Sequence, residues 1–295
     1  MSLASMIVSE STFADLVHFL CAEHEIVSLS ASPRSSLDSA RIPVALTFDD
    51  GWSDNAAYAA PILARNNAPA TIFLCPEKMG DVLPFWPERI SAYFHEATRT
   101  RRTAEFAILI GDSLLQPNFG LQHVIEAVKK FAIDRREVML ARLDEAFPRA
   151  TSAEVSQVDS TMTWDLARSL SKAKITLGSH TLNHEILTRV PVDLARVEVT
   201  ESGKRVSQEI GQPCFAFAYP NGDWSPRVRD ITASAGYTVA FANRPGLWGV
   251  GTDPFAVPRV NLWEGAVTGP LRRFSKPHFE YVVFHRAIRA AQKRI

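Results

Sequence analysis

The chain of 295 residues has little cysteine, three residues in all, and they show no metal-type spacing. Cys21, Cys75 and Cys214 cannot all pair, and each lies in an apolar context, so they read as buried free thiols in a reducing cytoplasm. A surplus of either charge is also missing: 32 basic residues face 32 acidic ones. That balance leaves no global field to attract nucleic acid. Every apolar stretch is broken by a charge or a proline well short of the roughly 20 residues of a membrane span. Met1 to Ser11 has neither the basic nor the apolar region of a secretory signal. Internal repeats and low-complexity tracts are absent. What remains is an ordinary globular composition, 46% hydrophobic, long enough to bury one large core.

Strand-like apolar runs recur at 42–48, 70–75, 175–179, 214–219, 237–242 and 256–262, with helical patterns between several of them. Ser53 is a plausible N-cap for residues 54–66, where Pro61 should kink or restart the helix. Leu121, Val124, Ile125, Val128 and Ala132 form one helical stripe in a helix running to about Phe147. Residues 192–210 form another, bounded by Pro191 and Gly211, and 226–235 carries Pro226 in its first turn and Gly236 at its end. Buried strands alternating with helices predict an α/β fold with a parallel sheet, open or closed into a barrel. About a hundred residues separate the second strand from the third, too many for one crossover. The stretch 77–173 therefore reads as a largely helical insertion. Residues 1–40 form a helical lead-in, 41–265 the main domain, and 266–295 a C-terminal basic amphipathic helix.

The chemistry gathers where these strands end. Thr47-Phe48-Asp49-Asp50-Gly51 closes the first run, and adjacent carboxylates leaving a buried strand are costly unless one is protonated or a cation lies between them. Ser179-His180-Thr181-Leu182-Asn183-His184 follows the third run. Histidines four apart fall on one face of a helical turn, and imidazole with carboxylate is a ligand set for zinc-like ions. Tyr219-Pro220-Asn221-Gly222 follows the fourth run, on the same rim of an α/β sheet. Each segment alone has a plainer reading. Asp-Asp-Gly could be a turn that caps a helix, the histidines an N-terminal turn, Tyr219 and Trp224 rim packing, and Asp165 a helix cap.

In this order the three segments resemble the polysaccharide deacetylase family, the NodB-type carbohydrate esterases, over about residues 12–262. Ala60-Pro61-Ile62-Leu63 and Pro69-Ala70-Thr71-Ile72-Phe73 belong to the same likeness, which is strongest to the branch acting in exopolysaccharide and surface-glycan biosynthesis. The resemblance implies a distorted (β/α)7 barrel and hydrolysis of an N-acetyl group on an amino sugar. It assigns Asp49 as general base and Asp50, His180 and His184 as ligands of one divalent ion. Zinc suits that set best, with cobalt, nickel, manganese and iron also accommodated. Three protein ligands leave the open position that a catalytic site keeps. The backbone N–H of Asn221 would help hold the oxyanion, and Tyr219 and Trp224 would flank the sugar.

The chain departs from the family pattern twice. Where the family places an arginine that orients the base, this chain has Ala218, and Arg259 of Val257-Pro258-Arg259-Val260 is the expected replacement. The C-terminal Leu-x-His motif that supplies the family's general acid has no counterpart. His278 and His285 are the only late histidines, and both fall in a helical segment. From Arg272 onward there are seven Lys or Arg and one acidic residue, a local net charge of +6. That segment reads either as a helix packed on the barrel or as a peripheral contact with an anionic membrane surface. The expected activity is thus metal-dependent deacetylation of an N-acetylated glycan or glycan intermediate in the cytoplasm, at the inner face of the membrane if the carrier is a lipid. Two alternatives use the same scaffold: an amidase acting on small cyclic amides or imides, and a non-catalytic glycan-binding protein.

Overall fold

The computed structural model describes residues 7–29, 41–82, 85–111, 119–151, 160–286 and 289. They fall into two compact units, one of Ala4–Gly80 with Thr161–Ile295 and one containing Asp81–Ser160.

The larger unit opens with α1 (Glu10–Glu23), whose N-cap Ser9 accepts from the Thr12 N–H. Strands β1 (Glu25–Ile26) and β2 (Pro43–Val44) pair in parallel as a separate ribbon. Strand β3 (Thr47–Phe48) follows, then a wide turn over Asn55–Ala59 and α2 (Ala60–Arg65). Pro61 sits in the first turn of α2, where its missing N–H leaves no helical bond unmade, so it restarts the helix. Strand β4 (Ala70–Leu74) is buried along its whole length.

The smaller unit is helical: α3 (Trp86–Arg99), α4 (Thr103–Ile110), α5 (Leu121–Val128), α6 (Ile133–Ala146) and α7 (Pro148–Thr151). It has its own core, in which Tyr93, Phe106, Val124, Leu140, Leu143 and Phe147 are buried together. The stripe expected to run unbroken to Phe147 is interrupted between Val128 and Ile133, although neither glycine nor proline marks the break.

The larger unit resumes with α8 (Trp164–Ser171), β5 (Ile175–Ser179), α9 (Val192–Ile210), β6 (Ala216–Ala218), α10 (Pro226–Ser234) and β7 (Val239–Phe241), and closes with α11 (Glu264–Val267) and α12 (Lys276–Glu280). The cap of α8 is Thr163, which accepts from the Leu166 N–H, while Asp165 lies in the first turn. Asp165 pairs there with Arg168. Strands β3-β4-β5-β6-β7 form one five-stranded sheet in sequence order, every pair parallel. This is the architecture that alternating strand and helix patterns predict. The run 256–262 contributes only the bridge of Val257 to Phe241, because Pro258 cannot donate to a ladder.

Side chains alternate across the sheet. Ile72 and Leu74 pack with Ile62, Leu63, Ala167 and Leu170 under the helices, whereas Phe73, Ala216, Ala218 and Phe241 pack on the opposite face. No described helix is long and apolar enough to cross a membrane. Residues 287, 288 and 290–295 of the basic C-terminal segment, Lys293 and Arg294 among them, lie outside the described residues.

Candidate metal and catalytic site

Parallel pairing sets all the strand ends on one rim. The chain leaves β3 at Asp49 and Asp50, β5 at His180 and β6 at Tyr219. Asp50 takes the left-handed conformation with φ 72°, and Gly51 continues it at φ 74°. A Cβ on Gly51 would lie 2.8 Å from Leu74 Cδ2, so the turn after the acidic pair requires glycine. The Met162 N–H donates to the Gly51 carbonyl at 2.8 Å and fixes the turn from outside.

The two histidines do not share a helical face. Residues 180–186 form an irregular loop, in which Thr181 and His184 have φ of 67° and 63°. Two left-handed residues fold the loop back far enough to bring the rings to 5.0 Å between centroids. Such conformations are costly outside glycine and persist where surrounding structure holds them. Here His180 is held by its backbone N–H donating to Leu74 O at 2.8 Å. Its Nδ1 lies 2.7 Å from the Ala218 carbonyl. A carbonyl can only accept, so Nδ1 carries the hydrogen and Nε2 presents its lone pair.

The lone pairs converge. His180 Nε2 and His184 Nε2 each lie 3.4 Å from Asp50 Oδ1, and one ligand atom from each residue fits within 4.8 Å of the others. Ligands about 2.0–2.1 Å from a tetrahedral ion lie about 3.3 Å apart. Asp50 Oδ1 is buried and receives no hydrogen bond, an unmet demand that a cation satisfies. Its other oxygen accepts from Trp52 Nε1 at 3.3 Å. The residues therefore fit a divalent ion.

Asp49 is held apart from this set. Arg259 Nη1 and Nη2 donate to its two oxygens at 2.7 Å each. The guanidinium also reaches Thr47 Oγ1 and the Ala242 carbonyl and lies over the Phe73 ring. Burial alone would raise the Asp49 carboxyl. The charge of Arg259 and its two hydrogen bonds lead the opposing effects and hold the carboxyl at about 2. Its side chain is still 32% exposed and lies 3.9 Å from His180 Nε2, so water can reach it beside the ligand set.

The remaining expected residues divide. Asn221, at φ 58°, lies on the same rim, and its side chain donates to Asp223 at 2.9 Å. Gly222 after it has φ 71°, and a Cβ there would lie 2.3 Å from Asn243. Trp224 is half-buried, with the Arg244 guanidinium 5.8 Å above its ring. Tyr219 is a correction. Its side chain is 0% exposed, its ring packs on Phe217 and its hydroxyl donates to the Phe255 carbonyl at 2.9 Å. It is a packing element, not a sugar contact. The late histidines are engaged elsewhere, His278 with Ser275 Oγ and His285 stacked on Tyr281. Sequence reasoning missed Trp52 and Glu198. The latter is a buried carboxylate on α9 that accepts both the backbone and side-chain N–H groups of Asn183 at 2.9 Å.

A family model described as polysaccharide deacetylase matches residues 37–99 and 134–240, more than half of the chain. Among solved structures, the Streptococcus pyogenes deacetylase PplD in complex with acetate is 16% identical with TM-score 0.58, over 90% of this chain and 88% of that one. IcaB from Ammonifex degensii is 15% identical with TM-score 0.55, over 88% and 86%. The deacetylase domain of BpsB from Bordetella bronchiseptica is 16% identical with TM-score 0.52, over 88% and 89%. At these identities the likeness is one of fold: parallel strands and helices of the NodB-type (β/α) barrel. Among the curated proteins none matches.

Proposed function

The chain belongs to the polysaccharide deacetylase family, and on that premise we propose that it removes the acetyl group from an N-acetylated sugar of a polysaccharide or glycan intermediate. Asp50, His180 and His184 would hold one divalent ion, zinc by preference. When bound, that ion supplies Lewis-acid polarisation of the acetamide carbonyl.

The chain's own residues do the rest. Asp49, with Arg259 on both of its oxygens, stays ionised and aimed, and accepts the proton of the attacking water. As the water oxygen bonds to the acetyl carbon and the carbon–nitrogen bond breaks, the proton passes from Asp49 to the departing amine. The Asn221 N–H holds the developing oxyanion, and Trp224 offers a flat apolar face to a sugar ring.

The observation that carries this reading is the meeting of two imidazole nitrogens at the unsatisfied Asp50 Oδ1, with an arginine-held carboxylate beside them. We assign the reaction to the cytoplasm, since Cys21, Cys75 and Cys214 are all free thiols. The basic C-terminal segment is the part suited to an anionic membrane surface.

The test is acetate release from a panel of N-acetylated amino-sugar oligomers by the zinc-loaded protein, with a cyclic imide in parallel. Acetate from the sugars supports deacetylation. Turnover of the imide alone moves the chemistry to small amides, and turnover of neither, with zinc bound, leaves a glycan-binding protein.

A further inference from the structure

Glu198 sits midway along α9 in the buried stripe Ala195, Glu198, Val199, Ser202 and Val206, and is 2% exposed. A buried carboxylate is costly unless its oxygens are met. Among the described residues no Lys, Arg or His pairs with it; its partners are N–H groups of the loop between the two histidines. Oε1 accepts from Asn183 Nδ2 and Oε2 from the Asn183 backbone N–H, both at 2.9 Å, and the Leu182 N–H adds to them. Burial pushes the Glu198 carboxyl above its ordinary value against these bonds.

The position of this clamp gives it a role. His180 is oriented independently, through its Nδ1 and the Ala218 carbonyl. His184 follows Asn183 directly and stands at φ 63°, with Thr181 at φ 67° on the other side. A loop with two left-handed residues in five needs something to hold it. We infer that Glu198 is a positioning residue, one that fixes the His180–His184 loop through Asn183 so that His184 Nε2 meets Asp50 and the divalent ion. This rests on the proposed three-ligand site. A carboxylate suits the task because it accepts two N–H groups with two oxygens. Glutamine would turn a donor toward one of them, and leucine would fill the space and hold nothing.

The test compares wild type with Glu198→Leu, Glu198→Gln and Asn183→Ala. Zinc affinity is measured by competition with a chelating chromophore, cobalt(II) absorption reports ligand geometry, and thermal melting is followed on the metal-free protein. Removing a group that orients a ligand typically weakens metal binding about 10-fold to 100-fold. We expect that loss, with an altered cobalt spectrum, in Glu198→Leu and Asn183→Ala, and a smaller loss in Glu198→Gln. Glu198→Leu leaves the Asn183 N–H groups without their acceptor and should lower the metal-free melting temperature modestly, so zinc affinity and the cobalt spectrum, not the melt, carry the test. In a His184→Ala background Glu198→Leu should have no further effect on zinc.

Wild-type affinity and spectrum in both Glu198→Leu and Asn183→Ala would overturn the inference while leaving the proposed site standing. Should Glu198→Leu fail to fold, Asn183→Ala, at a half-buried position, decides alone. A wild-type protein that binds no zinc would overturn the site and the clamp together.

Discussion

Arg259 and Asp49, 210 residues apart in the chain, are joined by two hydrogen bonds of 2.7 Å, one to each carboxylate oxygen. The bidentate pair fixes the carboxylate plane as well as its charge. Arg259→Ala should lower kcat/KM about 100-fold or more while zinc content stays at the wild-type level, because Arg259 touches none of the three ligands. Lysine at this position should recover only part of the loss, since it cannot donate in a fork. Normal turnover in Arg259→Ala would remove the pair from the chemistry.

Tyr219 and Trp224 should separate cleanly. Tyr219→Phe leaves the Phe255 carbonyl without its donor and should cost about 1 kcal/mol of stability with KM unchanged. Trp224→Ala should raise KM several-fold and leave the melting temperature nearly unmoved. Melting curves and steady-state kinetics on both variants check this, and the reverse pattern would return Tyr219 to the cleft.

Gly222 carries the turn that follows β6. Alanine there meets Asn243 backbone and side-chain atoms at 2.3 Å, with φ 71° besides. Gly222→Ala should destabilise the fold by at least about 2 kcal/mol, read as a lower denaturation midpoint. A wild-type midpoint would mean that the turn has room the structure does not show.

Glu264 of α11 closes the start of α1, accepting from the Ser9 N–H and the Thr12 hydroxyl at 2.8 Å and from the Ser9 hydroxyl at 3.1 Å. Burial raises its carboxyl, but these bonds prevail and leave it below its ordinary value of 4.5. A carboxyl lowered on folding stabilises above its unfolded value and loses that contribution as pH falls through the folded one. Glu264→Gln should therefore cost about 1 kcal/mol at pH 7, a gap that narrows below about pH 4. A gap of the same size in thermal melts at pH 7 and at pH 3 would contradict the ionised clasp.

Much of this was legible in the chain. Alternating patterns gave the order β4, β5, β6, β7 with helices between, and the acidic pair and both histidines fell at strand ends because parallel strands share one direction. Arg259 could be named as the partner of Asp49 because Ala218 left the base without a holder. Three features were not read, for physical reasons. Left-handed φ at Asp50, Thr181 and His184 is imposed by tertiary contacts and has no local signal outside glycine, so the histidines looked helical. Tyr219 was misjudged although parity marked it: it shares a face with Phe217, two residues back, which is buried. Glu198 had a signal too, a charge in the stripe of Ala195, Val199 and Val206, and a charge buried in a helix stripe calls for a partner.

The most direct measurement is zinc per chain in the metal-stripped and reloaded protein, compared with Asp50→Ala, His180→Ala and His184→Ala. Three-ligand coordination predicts one tightly held ion in the wild type and a sharp loss of affinity in each variant, with melting curves showing that all four are folded. Zinc retained at wild-type affinity after loss of any one of these side chains, or never bound at all, would contradict it.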